Sequence, residues 1–125
     1  MSKKIVCGAD KIIIDIKIGS GALIKTQEEA KQLSSLMIKI GKKYHKEVKT
    51  VFSDMDHPLG RAIGNKLEVM EAVNVLQGKE EGELYDLCIE LSSQLISMAK
   101  KESLQTAERM AKEAITSGRA YQKFK

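Results

Sequence analysis

The residue types best able to do chemistry gather in residues 53–72, which read SDMDHPLGRAIGNKLEVMEA. Ser53, Asp54, Asp56 and His57 form a polar cluster directly after Val48, Thr50, Val51 and Phe52, and a β-branched and aromatic run of that kind reads as a strand. The cluster therefore sits at a strand's carboxyl end, where open α/β sheets bind their ligands. Pro58, the sole proline, fixes its own φ and pushes His57 out of the helical region, so the chain must turn before it can coil. Gly60 and Gly64 permit backbone conformations that other residues avoid. Such a turn exposes main-chain carbonyls, those of Leu59 and Ala62 among them, which can coordinate a hard cation when a carboxylate stands nearby. Glu68 and Glu71, on the helix that follows, are the two candidates for that carboxylate. The same residues also suit a plain strand-to-helix connection with its acids in solvent.

The elements that must position this stretch are legible around it. Residues 11–18 carry Ile12, Ile13 and Ile14 in a row, then Ile16 and Ile18 alternating with Asp15 and Lys17, which predicts a strand apolar enough to expect cover on both faces. Gly19-Ser20-Gly21 turns the chain at its carboxyl end, where backbone amides can cradle an anion. It matches neither the Walker A nor the dinucleotide fingerprint. Thr26 followed by Glu29 is a capping-box pattern, and Ala30, Leu33, Met37, Ile40 and Tyr44 mark one face of the helix it opens, with Leu36 beside it. Strand, helix and second strand make a βαβ unit, with parallel strands and a right-handed crossover. Both polar loops then lie on the same side of the sheet. Further helices follow: one through Leu67, Met70, Val73, Val75 and Leu76 to Gly78, one through Leu84, Leu87, Cys88, Leu91, Leu95 and Met98, and one through Ala107, Met110, Ala111, Ala114 and Ile115 to Gly118. Their apolar stripes read as core. The start, residues 2–9, has the look of a helix cut open. The fold class is α/β, a βαβ unit followed by helices, a slice of a larger mixed sheet domain covered by helices.

Composition removes other chemistries. At 125 residues the chain is one domain or less, and no apolar run approaches a membrane span or a signal peptide, so a cytoplasmic location is the expectation. Cys7 and Cys88 are isolated thiols without metal-ligand spacing and read as free, buried cysteines. The net charge of +4 comes from lysines spread over helix faces and a basic tail, with acids interleaved through most of the chain, and the few aromatics are not woven into a basic stripe, which argues against nucleic acid. His45 and His57 lack a neighbouring nucleophile and orienting acid, and neither is given a catalytic role.

The run Asp54-Met55, Pro58-Leu59-Gly60, Gly64-Asn65, Leu67-Glu68-Val69 and Glu71-Ala72 resembles, without gaps, the corresponding segment of the pyrimidine-nucleoside and thymidine phosphorylases. The resemblance extends back through Asp15-Ile16-Lys17-Ile18-Gly19-Ser20-Gly21-Ala22, similar to the family's Asp-Val-Lys-x-Gly-x-Gly-Ala segment, and to Ser2-Lys3-Lys4 and Gly8-Ala9-Asp10. It covers essentially the whole chain. It implies that residues 1–125 are a fragment of the large central α/β domain of a nucleoside phosphorylase, with the N-terminal helical domain and the C-terminal domain lying outside. The implied reaction converts a pyrimidine nucleoside and phosphate into the base and ribose or deoxyribose 1-phosphate.

The resemblance also implies residue roles. Lys3 matches the lysine that contacts the pyrimidine base, and the carbonyls of Leu59 and Ala62 with the carboxylate of Glu71 match the holders of a potassium ion. Phosphate is the co-substrate, and the full-length parent is expected to be a homodimer. The family's Ser-Gly-Arg-Gly and Gly-Gly-Thr-x-Asp-Lys motifs, its phosphate-holding lysine, serine and threonine, and its base-contacting arginine and serine are not in this sequence and are expected before Met1. The chain by itself is therefore expected to be inactive. Other readings are a thymidine-specific phosphorylase fragment, a non-catalytic truncated module that folds and associates, and a related phosphoribosyltransferase, which lacks the Pro-Leu-Gly and Gly-Asn-x-Leu-Glu-Val wording.

Overall fold

The computed structural model describes residues 1–125, which divide into two units, Met1–His57 and Pro58–Lys125. In the first, α1 (Ser2–Val6) precedes β1 (Lys11–Ile18), α2 (Gln27–Lys43) and β2 (Glu47–Asp54). The strands pair in parallel, with Ile12 opposite Val48, Ile14 opposite Thr50 and Ile16 opposite Phe52, as a βαβ crossover requires. Period-two alternation in β1 sends Ile12, Ile14 and Ile16 to one face, where they are buried with Val48 against Ala30, Leu33, Met37 and Ile38 of α2. Each such aliphatic side chain contributes about 1.5–3 kcal/mol when fully withdrawn from water, so this layer is what holds the unit together.

Two details set how closely α2 lies on the sheet. Ala30 is wholly buried, and at Gly41 an added Cβ would overlap the Val48 side chain, coming within 3.1 Å of its Cβ. The sequence pattern misplaces the edges of this face. Leu36 and Tyr44 are exposed, while Ser34, two positions from Leu36, is buried and shares a 2.7 Å hydrogen bond with the Thr50 hydroxyl. A hydroxyl is tolerated inside because it has that partner. The helix starts as its pattern predicts. Thr26 Oγ1 accepts from the Glu29 N–H, and the Glu29 carboxylate accepts from the Thr26 N–H in return.

The other face of the strand pair is mixed, with Val51 buried opposite Asp15 beside a polar network. Lys17 Nζ lies 2.7 Å from Asp15 and donates to Ser53 Oγ at 2.9 Å, and Ser53 donates in turn to Asp15 at 2.5 Å. Asp15 and Lys17 are two apart and so share a face; the register then sets Ser53 directly across from Lys17. Apolar packing against α2 thus covers one face of β1, while the other combines half-buried Ile13 and buried Val51 with the Asp15, Lys17 and Ser53 network.

The second unit holds α3 (Asn65–Leu76), α4 (Glu83–Lys100), α5 (Leu104–Thr116) and α6 (Arg119–Phe124). Helices α4 and α5 pack through Ile89, Ala111 and Ile115, with Tyr85, Ile96 and Ala120 around them. Lys101, left-handed at φ 59, ends α4, and the Ser103 side chain caps α5 by accepting from the Thr106 N–H. The final helix was hidden in what reads as a basic tail. In α3 the apolar stripe is core only in its second half: Val75 is buried and Val73 and Leu76 are half-buried, whereas Leu67 and Met70 are about half exposed and the other buried residue is Glu71. Cys7 and Cys88 are also exposed rather than buried.

Candidate functional site

Helix α3 follows directly on the turn, and its first two turns carry Glu68 and Glu71. Residues three apart point to nearly the same side of a helix, so sequence leaves the choice between them open. In the structure Glu71 is 8% exposed, and its carboxylate faces back into the turn. Oε1 accepts from the Arg61 N–H at 2.7 Å and Oε2 from the Ala62 N–H at 3.4 Å. Gly60 lies against the same group: a Cβ there would overlap Oε2 and stand 2.9 Å from Cδ. Glu68 is exposed and does different work. Its Oε1 accepts from the Gly64 N–H at 2.9 Å, capping a helix whose N-cap glycine has no side chain to do so. Of the two acids, Glu71 is the one that holds the turn, and the picture of solvated acids on a plain connection does not describe it.

Leu59 and Ala62, whose carbonyls the sequence singles out, flank Gly60 and Arg61 and are half-buried. Leu59, Ala62 and Glu71 fall together in the second unit. Lys3 belongs to the first unit, where it stands exposed on α1. No three His, Cys, Asp or Glu side chains converge to hold a metal, so the donors available at this turn are one carboxylate and main-chain oxygens.

At the strand ends of the first unit, the loop after β1 is locked onto the loop after β2. Asp56 Oδ1 accepts from the Ser20 N–H at 2.6 Å, and that bond holds the Asp56 carboxyl below the usual carboxylate range. The Gly21 N–H donates to the Met55 carbonyl at 3.0 Å and the Gly19 N–H to the Ile24 carbonyl at 3.2 Å. The anion cradle expected of Gly19-Ser20-Gly21 is therefore already filled, its middle amide by the chain's own carboxylate. Gly19 is required on two counts, with φ at +145° and the Asp56 nitrogen 2.7 Å from where a Cβ would sit. An open cleft of about 440 Å³ remains beside this lock, lined by Ser20, Lys25, Phe52, Ser53, Asp54 and Asp56 among others. His57 Nδ1 lies 3.2 Å from Asp54 on an exposed surface. The Asp56 lock and the room at Gly60 were not readable in advance. Both join residues 10 or more apart in sequence, and neither leaves a periodic mark.

Comparison with known proteins fits this arrangement. A family model described as "Glycosyl transferase family, a/b domain" matches residues 1–121. Pyrimidine-nucleoside phosphorylases of Staphylococcus aureus strains USA300 and NCTC 8325 / PS 47 are each 47% identical over 126 residues, covering 100% of this chain. The enzyme of that name from the bovine strain RF122 / ET3-1 is similar to the same degree. The chain spans 29% of the length of these relatives. With the match running through the βαβ unit, the turn and the helices beyond it, this chain belongs to the glycosyl transferase family, in its a/b domain.

Proposed function

We propose that the chain is part of a pyrimidine-nucleoside phosphorylase, which splits a pyrimidine nucleoside with phosphate into the free base and ribose or deoxyribose 1-phosphate. The observation that carries this reading is the 47% identity to the Staphylococcus aureus enzymes along the whole of this chain. Because the chain spans 29% of their length, residues 1–125 act as a fragment of the large central α/β domain. The N-terminal helical domain, the C-terminal domain and the phosphate-holding residues come from the rest of the polypeptide. The parent is a cytoplasmic homodimer that takes uridine as well as thymidine, and its partners are its substrates rather than nucleic acid or membrane. No helix is long and apolar enough to cross a membrane.

Breaking the bond between sugar and base builds positive charge on the sugar and negative charge on the departing base. Such a reaction gains most from donors placed where that charge develops. The Lys3 ammonium donates to a carbonyl of the base, a contact that strengthens as the base becomes anionic and so favours the transition state over bound substrate. The turn of residues 58–62 takes a potassium ion, held by the carbonyls of Leu59 and Ala62 and the carboxylate of Glu71. Two features support the fit. The buried carboxylate spends one acceptor site of each oxygen on a backbone N–H, out of about four lone-pair sites in all. The donor set, main-chain and carboxylate oxygen, is what a hard cation prefers. When bound, the ion supplies a fixed positive charge that ties the turn together and offsets the buried carboxylate. Glu71 does its own part by fixing the turn through the Arg61 N–H.

The test is a chimera in which residues 1–125 replace the corresponding segment of the Staphylococcus aureus enzyme. The chimera is expected to release uracil and thymine in the presence of phosphate, and the 125-residue chain alone to release neither. A correctly folded chimera without phosphorolysis, or turnover by the chain alone, overturns the reading.

A further inference from the structure

Gly60 differs from Gly19 and Gly64, the positive-φ glycines near the candidate sites. Gly19 and Gly64 have φ at +145° and +115°, where a side chain is strained. Gly60 does not have a positive φ, so a left-handed backbone is not the reason for a glycine. What a side chain would meet is Glu71: a Cβ overlaps Oε2 and comes within 2.9 Å of Cδ and 3.1 Å of Oε1. All three nearest atoms belong to this one carboxylate. The missing side chain is thus filled by the acid, which is buried and hydrogen-bonded to the Arg61 and Ala62 N–H groups next in the chain.

We infer that Gly60 is a positioning residue for the cation site: its empty side-chain space admits the Glu71 carboxylate, and the carboxylate then fixes the turn from within before any ion arrives. The inference rests on the cation reading proposed above for Leu59, Ala62 and Glu71. It goes further in assigning Gly60 a role and in making the site preformed. A cation then meets carbonyls already set by the Arg61 bond and does not have to order the turn, which lowers the entropic cost of binding. Any residue larger than glycine at 60 pushes the carboxylate out, releasing the Arg61 amide and dispersing the oxygens together.

The experiment uses the chimeric enzyme and the cycle Gly60→Ala, Glu71→Ala and their double variant. Hydrogen exchange of the Arg61 amide is read by mass spectrometry in choline chloride without potassium. Gly60→Ala is expected to speed that exchange about tenfold, consistent with loss of one charge-assisted hydrogen bond, and to add nothing in the Glu71→Ala background. Non-additivity of this kind is the mark of two groups acting through one contact. Thermal unfolding with and without potassium chloride is the second readout, with the stabilisation by potassium expected in the parent chimera and lost in Gly60→Ala. Exchange unchanged by Gly60→Ala, or sped equally in both backgrounds, overturns the inference, as does a potassium stabilisation that Gly60→Ala leaves intact. If the exchange cycle behaves as expected while potassium stabilises nothing, the Gly60 and Glu71 lock stands and the cation reading is what fails.

Discussion

Replacing Glu71 by glutamine keeps the shape of the side chain and removes its charge, which makes it the sharpest probe of the turn. The carboxylate accepts from two N–H groups, Arg61 at 2.7 Å and Ala62 at 3.4 Å. Glutamine has one oxygen and one NH₂ group. The best it can do is keep its oxygen on Arg61, which leaves NH₂ facing the Ala62 N–H. The short bond then changes from charge-assisted to neutral, and the longer one becomes two donors in opposition. Charge-assisted bonds contribute about 1.5–3 kcal/mol and neutral ones about 1 kcal/mol, so Glu71→Gln is expected to destabilise the chimera by about 1–3 kcal/mol without potassium. Glu68→Gln is the control. That side chain is exposed, touches the Gly64 N–H at 2.9 Å and keeps an acceptor after substitution, so its loss is limited to the charge at the helix start, about 0.3–1 kcal/mol. Urea unfolding in choline chloride measures both. Potassium titrations of phosphorolysis then ask about the ion. Glu71→Gln is expected to raise half-saturating potassium tenfold or more, about 1.4 kcal/mol of lost attraction, and Glu68→Gln to leave it within about twofold. The assignment of the carboxylate is refuted if the potassium response survives Glu71→Gln and disappears in Glu68→Gln. The account of the turn is refuted if Glu71→Gln unfolds at the parent's urea concentration.

Lys3→Ala in the chimera is expected to lower kcat/KM for uridine and thymidine by about 10- to 100-fold, the range for a charge-assisted bond, and unchanged kinetics remove Lys3 from the base site. Gly41→Ala reverses the usual rule: a helix-interior glycine replaced by alanine normally gains about 1 kcal/mol, but here the new Cβ overlaps Val48, and overpacking costs about 1–3 kcal/mol. A lowered urea midpoint is expected, and a raised one refutes the close approach of α2 to the sheet. The Glu29 carboxyl is held below its ordinary 4.5, chiefly by the Lys25 N–H, and the Asp56 carboxyl below its ordinary 3.8, chiefly by the Ser20 N–H. A folded-state value below the unfolded one means that their contribution is complete above about pH 4.5 and is lost as pH falls through the depressed values. Urea midpoints from pH 6 to pH 3 should therefore fall less steeply in Glu29→Gln than in the parent chain, and parallel curves count against the bond.

The fold was legible wherever sequence period and structure answer to the same cause. Alternating isoleucines make β1 and bury one of its faces, and the Thr26 and Glu29 pair opens α2 by a purely local exchange of bonds. Legibility failed where an element's surroundings decide. The stripe of α3 is apolar and buries Val75, yet Leu67 and Met70 at its start stand about half exposed, because hydropathy records what a side chain prefers and not whether a neighbour is present to cover it. Cys88 is a small apolar residue on a helix, and it is exposed although its neighbour Ile89 packs against α5. Residues 119–124 read as a basic tail because a helix of this length has too few periods to register.

The candidate site divides along the same line. The turn and its two acids were legible from Pro58, the glycines and the chain order, but the choice of acid was not, because Glu68 and Glu71 differ by less than one helical turn. Packing makes the choice. Glu68 is nearer the helix start and is consumed by the Gly64 amide that the start leaves unpaired, which leaves Glu71 free to reach back to Arg61. Gly60 belongs to the same decision, although its letter in the sequence suggests only flexibility. A glycine whose φ is ordinary is informative in a different way from one whose φ is positive: it marks a volume that another group occupies. Here that group is an acid that would otherwise sit in water. The buried carboxylate, the missing side chain and the two backbone N–H groups therefore form one device, and changing any one of them should be felt at the other three.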